Sequence, residues 1–75
     1  MGFISIQTLK KGDCFFNSWS EPCVITKVRT QHIGPKGMQL HRELRYYMSK
    51  HDNVERITCG DLTVYPISKN LYDIL

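Results

Sequence analysis

The chain has 75 residues, 41% of them hydrophobic, and a net charge of +3. A chain this short makes one domain and buries only about 60% of the surface its unfolded form exposes, which leaves little room for a large enclosed active site. No apolar run approaches the roughly 20 residues of a membrane helix, and the start "MGFISIQTLKKGD" lacks the basic segment that opens a signal peptide.

In chain order, "LKKGDCFF" carries a turn at Lys11-Gly12-Asp13 and then an apolar, aromatic run. Asn17, Ser18 and Ser20 break that run around Trp19. Pro22 opens "CVITKVRT", whose β-branched residues favour a strand. Regular alternation would put Val24, Thr26 and Val28 on one face, with Ile25, Lys27 and Arg29 on the other. A turn is expected at Gly34-Pro35-Lys36-Gly37. Past it, Met38, Leu40, Leu44, Tyr46 and Met48 fall on even positions, with Arg42 interrupting them. Leu40, Leu44, Tyr47 and Met48 also sit at helical spacing. Turn chemistry closes both ends of the run, so a strand is the expectation. "SKHDN" reads as a second turn. "VERITC" and "LTVYP" read as shorter strands around Cys59-Gly60-Asp61, and "SKNLYDIL" as a short strand or single helical turn.

Five or six short strands with polar turns between them imply an all-β antiparallel fold. At this size the expected form is a small SH3-like barrel, because curling the sheet removes exposed edges.

Charge is unevenly placed. Residues 27 to 50 hold Lys27, Arg29, Lys36, Arg42, Arg45 and Lys50 against Glu43 alone, with His32, His41 and His51 in or beside them. Clustered cations point to an anionic partner such as RNA. The candidate nucleic-acid-binding residues are Lys27, Arg29, Lys36, Arg42 and Arg45. Tyr46, Tyr47 and His41 are candidates for stacking on unpaired bases. The tyrosines are equally placed to be core residues, and Arg42 beside Glu43 to balance charge between strands. Trp19, in a polar turn, is either a lid over the core or an anchor for a protein partner. The end "LYDIL" is either core or a partner-facing surface.

Catalytic and metal chemistry have less support. Cys14, Cys23 and Cys59 form no C-x-x-C pair, so neither a zinc site nor a disulfide framework is implied. A cysteine–histidine pair, or a metal held by His32, His41 and His51, would need the fold to bring distant residues together. Asp52 and His51 are neighbours, and strand neighbours point apart. No enzyme activity, cofactor, metal or small-molecule substrate is expected.

The order of motifs adds a resemblance. "TLKKGDCFF", "EPCVITKVRTQHIGPKG", "LTVYP" and "ISKNLYDIL" together resemble the N-terminal domain of eukaryotic translation initiation factor 5A and the related domain of bacterial elongation factor P. The likeness spans roughly residues 7 to 75. It implies an SH3-like barrel of the KOW-related type and work at the ribosome in the cytoplasm. In that family the loop lysine is modified and approaches the peptidyl-tRNA, and an OB-fold domain follows. Here Pro35 stands at the modified position and Lys36 comes one residue later. Proline has no amine to modify, and no second domain is expected after Leu75. The resemblance therefore implies an unmodified loop, Gly34 to Gly37, in a truncated relative.

The combined expectation is a non-catalytic module that binds RNA or a ribonucleoprotein through the basic loop around Lys36. The alternative is a protein docking module or a small subunit of a larger assembly.

Overall fold

Turn chemistry and β-branched runs delimit the strands much as the residue pattern implies. The computed structural model describes residues 2–48 and 54–75. Six strands form one antiparallel sheet: β1 (Ile4–Ser5), β2 (Cys14–Phe16), β3 (Pro22–Ile33), β4 (Gln39–Met48), β5 (Glu55–Thr58) and β6 (Thr63–Ile67). A 3-10 turn, Ile6–Thr8, follows β1, and α1 (Lys69–Ile74) ends the chain. The strand order is β1-β6-β2-β3-β4-β5. The expected "SKHDN" turn lies outside the described residues, as do Lys50, His51 and Asp52. No described helix is long and apolar enough to cross a membrane.

The turn before β2 is held by its own residues. The Lys10 amide donates to the Asp13 carboxylate at 2.9 Å, and Gly12 takes φ +92°. Glycine suits that conformation because it lacks a Cβ. The Gly12 amide then donates to the Ile25 carbonyl at 2.9 Å, which docks the turn on β3.

The core gathers Ile6, Leu9, Phe15, Cys23, Ile25, Leu44 and Val64. Phe15 meets Tyr46 edge to face, with ring centroids 5.4 Å apart, a favourable aromatic arrangement. Tyr46 is thus part of the core wall, and burial pushes its hydroxyl pKa up.

Two features of the long hairpin correct the simple alternation. Cys23 and Ile25 are buried, and Val28 packs against the same core. The expected grouping of Val28 with Val24 and Thr26, opposite Ile25, does not hold. The register with β4 shifts between Ile25 and Lys27, leaving Thr26 as an extra residue. That bulge reverses the sidedness of everything after it. The Thr26 hydroxyl donates to the Arg45 carbonyl at 3.1 Å across the bulge. On β4, Leu44 is buried and Tyr46 half-buried, as the even positions suggest, but Leu40, and Met38 just before the strand, are exposed. They belong to the part of the hairpin that runs past the core.

"SKNLYDIL" is resolved as a helix. The Ser68 hydroxyl caps it by accepting the Leu71 amide at 3.0 Å. Tyr72 is its buried residue, while Leu71, Ile74 and Leu75 remain exposed.

The all-β antiparallel class is as expected, yet the sheet is not closed into a continuous ladder. It is nevertheless strongly curled. A flat sheet would set β1 and β4 four strand spacings apart, roughly 19 Å. Instead the Gln7 side-chain amide, just after β1, donates to the Arg42 carbonyl of β4 at 3.2 Å and to the Gly60 carbonyl at 2.8 Å.

Candidate functional site

The basic candidates sit on the β3–β4 hairpin, but its two faces divide them. Residues directly opposite in an antiparallel pair share a face. The pairs Lys27↔Arg45, Arg29↔Glu43 and Gln31↔His41 lie on the outer face. Val28↔Leu44, Thr30↔Arg42 and His32↔Leu40 lie on the face that continues the core. Arg42 is therefore separated from the other candidates.

Its role there is structural. The Arg42 guanidinium donates to the Gln7 carbonyl, and to the Leu9 carbonyl at 2.6 Å. Those contacts tie β4 to the turn after β1, and the side chain is half-buried. On the outer face, Glu43 is buried and accepts from both neighbouring arginines. Arg29 Nε lies 3.1 Å from Glu43 Oε1, and Arg45 Nε lies 3.0 Å from the same oxygen. Arg45 Nη1 also reaches Glu55 at 3.0 Å. Hydrogen bonds from Arg45, and then from Arg29, hold the Glu43 carboxyl below the ordinary carboxylate range against the opposing effect of burial. Two of the five candidate cations are thus engaged with carboxylates.

Lys27 and Lys36 are both exposed. Lys36 stands at the hairpin apex with φ +57° and ψ 20°, between Gly34 at φ +84° and Gly37 at φ +64°. A left-handed backbone is unfavourable for a lysine. The two glycines adopt their own positive φ without a Cβ clash. Exposed Met38 and Leu40 flank the apex.

The stacking candidates separate as well. Tyr46 faces the core, whereas Tyr47 lies on the outer face opposite Val24 and Glu55. His41 Nδ1 lies 3.2 Å from the Cys59 carbonyl oxygen. A carbonyl only accepts, so that nitrogen carries the hydrogen. His32 and His41 point to opposite faces, and among the described residues no group of three His, Cys, Asp or Glu side chains comes together for a metal. Cys14 and Cys23 are buried, and burial pushes the Cys14 thiol up, away from the reactive thiolate. The Cys59 thiol donates to Gln31 Oε1 at 2.7 Å.

Trp19 is 78% exposed, so it does not serve as a lid over the core. Asn17 builds the loop that presents it. The Asn17 Oδ1 accepts the amides of Trp19 at 2.9 Å and Glu21 at 3.0 Å, and its Nδ2 donates to the Glu21 carboxylate at 3.1 Å. The asparagine side chain thus adds to the backbone bonds of the turn, Asn17 to Glu21 and Ser20 to Asn17. Trp19 lines an open groove of about 930 Å³ together with Phe15, Tyr46, Arg56, Leu62 and Val64. A second hollow shares Asn17, Ser18 and Thr63 with the first and adds Phe3, Phe16 and Tyr65. Phe3 and Tyr65 meet edge to face at 5.6 Å. The residue pattern marked Trp19 but not this aromatic surface, which joins residues from both ends of the chain.

Comparison with protein-family models, curated proteins and solved structures found no match to the chain.

Proposed function

We propose that this chain is a non-catalytic docking module that binds a protein partner at the Trp19 groove. The supporting observation is the exposed indole of Trp19 beside a groove that mixes the apolar Phe15, Tyr46, Leu62 and Val64 with the polar Asn17, Ser18, Glu21, Arg56 and Thr63. Aromatic anchors next to apolar pockets supply most of the affinity in protein interfaces. Affinity capture from native extract, with and without nuclease, tests this reading. Defined proteins persist through nuclease, are lost with Trp19→Ala and are kept with Lys36→Ala. Retained proteins that all vanish with nuclease would overturn it.

A second reading places RNA or a ribosome-type ribonucleoprotein on the hairpin apex, as the resemblance to translation factor 5A implies. The exposed, left-handed Lys36 favours it, with Lys27 and the outward part of Arg29 on the flanking strand. The engagement of Arg42 and Arg45 within the fold counts against it. RNA affinity that falls steeply with salt and drops with Lys27→Ala and Lys36→Ala would support this second reading.

A further inference from the structure

We infer that the hollow lined by Phe3, Phe16 and Tyr65 is an aromatic cage for a trimethylated lysine side chain of the protein partner. This rests on the docking reading and names the partner's chemistry.

Strand alternation builds the cage. Ile4, Val64 and Phe15 pack in or against the core. Their chain neighbours Phe3, Tyr65 and Phe16 therefore face the opposite side of the sheet. Phe16 and Tyr65 are directly opposite each other in the β2–β6 ladder. The Tyr65 ring also meets the Phe3 ring, with centroids 5.6 Å apart and planes at 76°. The neighbouring strands β1, β6 and β2 thus bring the rings together, and all of them line a hollow of about 470 Å³. Phe3 is 69% and Tyr65 36% exposed, so ring surface is open to a ligand. Ser18, Ser20 and Thr63 add hydroxyl groups, and among the described residues no charged side chain lines the hollow.

These features specify the occupant. The face of an aromatic ring is the negative end of its quadrupole and attracts a cation. An unmethylated ammonium carries three donors and is best held by a carboxylate, which this lining lacks. Trimethylation removes every donor and keeps the charge, so ring faces suffice. A phosphocholine headgroup brings a phosphate as well, and the lining offers it no cation. A nucleobase has the same need for its phosphate and wants an open, flat platform. Phe3 and Tyr65 stand nearly at right angles, which makes a corner rather than a platform. The hollow shares Asn17, Ser18 and Thr63 with the Trp19 groove, so the peptide flanking the modified lysine continues onto that groove.

The test titrates the intact chain with acetyl-trimethyllysine amide and follows backbone amide chemical shifts. Concentrations up to about 10 mM nearly saturate a site of millimolar affinity. The expected shifts centre on Phe3, Phe16 and Tyr65. Unmethylated acetyl-lysine amide and the neutral tert-butyl isostere each bind at least about tenfold more weakly. Phe3→Ala and Tyr65→Ala weaken binding about tenfold, and Phe3→Tyr retains it. The exposure of Phe3 keeps the first variant folded. Equal binding of the neutral isostere overturns the cage, because apolar area alone is then read. Tighter binding of phosphocholine overturns the lysine side chain as the occupant. Shifts at these residues from a single-stranded oligonucleotide, but not from trimethyllysine, overturn it in favour of base stacking. Shifts elsewhere, or none, overturn the cage and leave the docking reading standing if captured proteins still persist through nuclease and are lost with Trp19→Ala. Absence of both the shifts and those proteins overturns both.

Discussion

The guanidinium of Arg42 donates to the backbone carbonyl of Leu9, 2.6 Å away, across the curled sheet. A residue that sequence reasoning assigns to an anionic partner is thus a clamp between β4 and the turn after β1. The bond satisfies a carbonyl near the core and ties down a segment that β1 anchors through only two residues.

Arg42→Ala is expected to lower stability by about 2 kcal/mol, the order for hydrogen bonds to a charged group. Arg42→Lys is expected to recover only part of it, because one ammonium does not reproduce the planar fork on two carbonyls. Thermal denaturation checks both variants. An unchanged melting temperature for Arg42→Ala would remove the clamp from the account.

Glu43 links acidity to stability. Its folded pKa is lowered by Arg45 and Arg29, whereas an unfolded glutamate titrates near 4.3, an approximate reference value. The unfolded form therefore binds the proton first as pH falls. The contribution of Glu43 is present above about pH 4.3 and is lost as pH drops through the lower folded value. Urea denaturation as a function of pH is expected to show this acid-side loss, and Glu43→Gln to flatten it.

Lys36 trades stability for position. Replacing a lysine at φ +57° by glycine relieves about 1 kcal/mol of backbone strain. Lys36→Gly is expected to raise the melting temperature. On the RNA reading it also weakens RNA binding, so stability and binding move in opposite directions. A lowered melting temperature would show that the lysine side chain contributes to the apex conformation.

Leu44 is fully buried at the centre of β4. Leu44→Ala is expected to cost about 2–5 kcal/mol, comparable with the total stability of a domain this small. The variant is expected to be largely unfolded by circular dichroism at room temperature. A native spectrum would mean that the core around Phe15 and Ile25 collapses into the space left.

The residue pattern alone determined the class of fold and the strands from β2 to β6, but not β1 or whether the last segment is strand or helix. Glycine and proline turns, β-branched runs and period-two alternation act within a few residues, so Pro22 and the Gly34–Gly37 apex could be placed without the structure. Trp19 could be marked for the same local reason, a large aromatic ring in a polar turn. Only the tertiary structure decided what these parts face. The bulge at Thr26 arises from its register against β4, and it turns Val28 to the core. Arg45 is joined to Glu55 across the β4–β5 pair, and Arg42 to Leu9 across the curl, between residues 10 and 33 positions apart in sequence. The Trp19 groove takes walls from β2, β4, β5 and β6. Such contacts depend on cross-strand register and on how far the sheet curls, neither of which local periodicity contains.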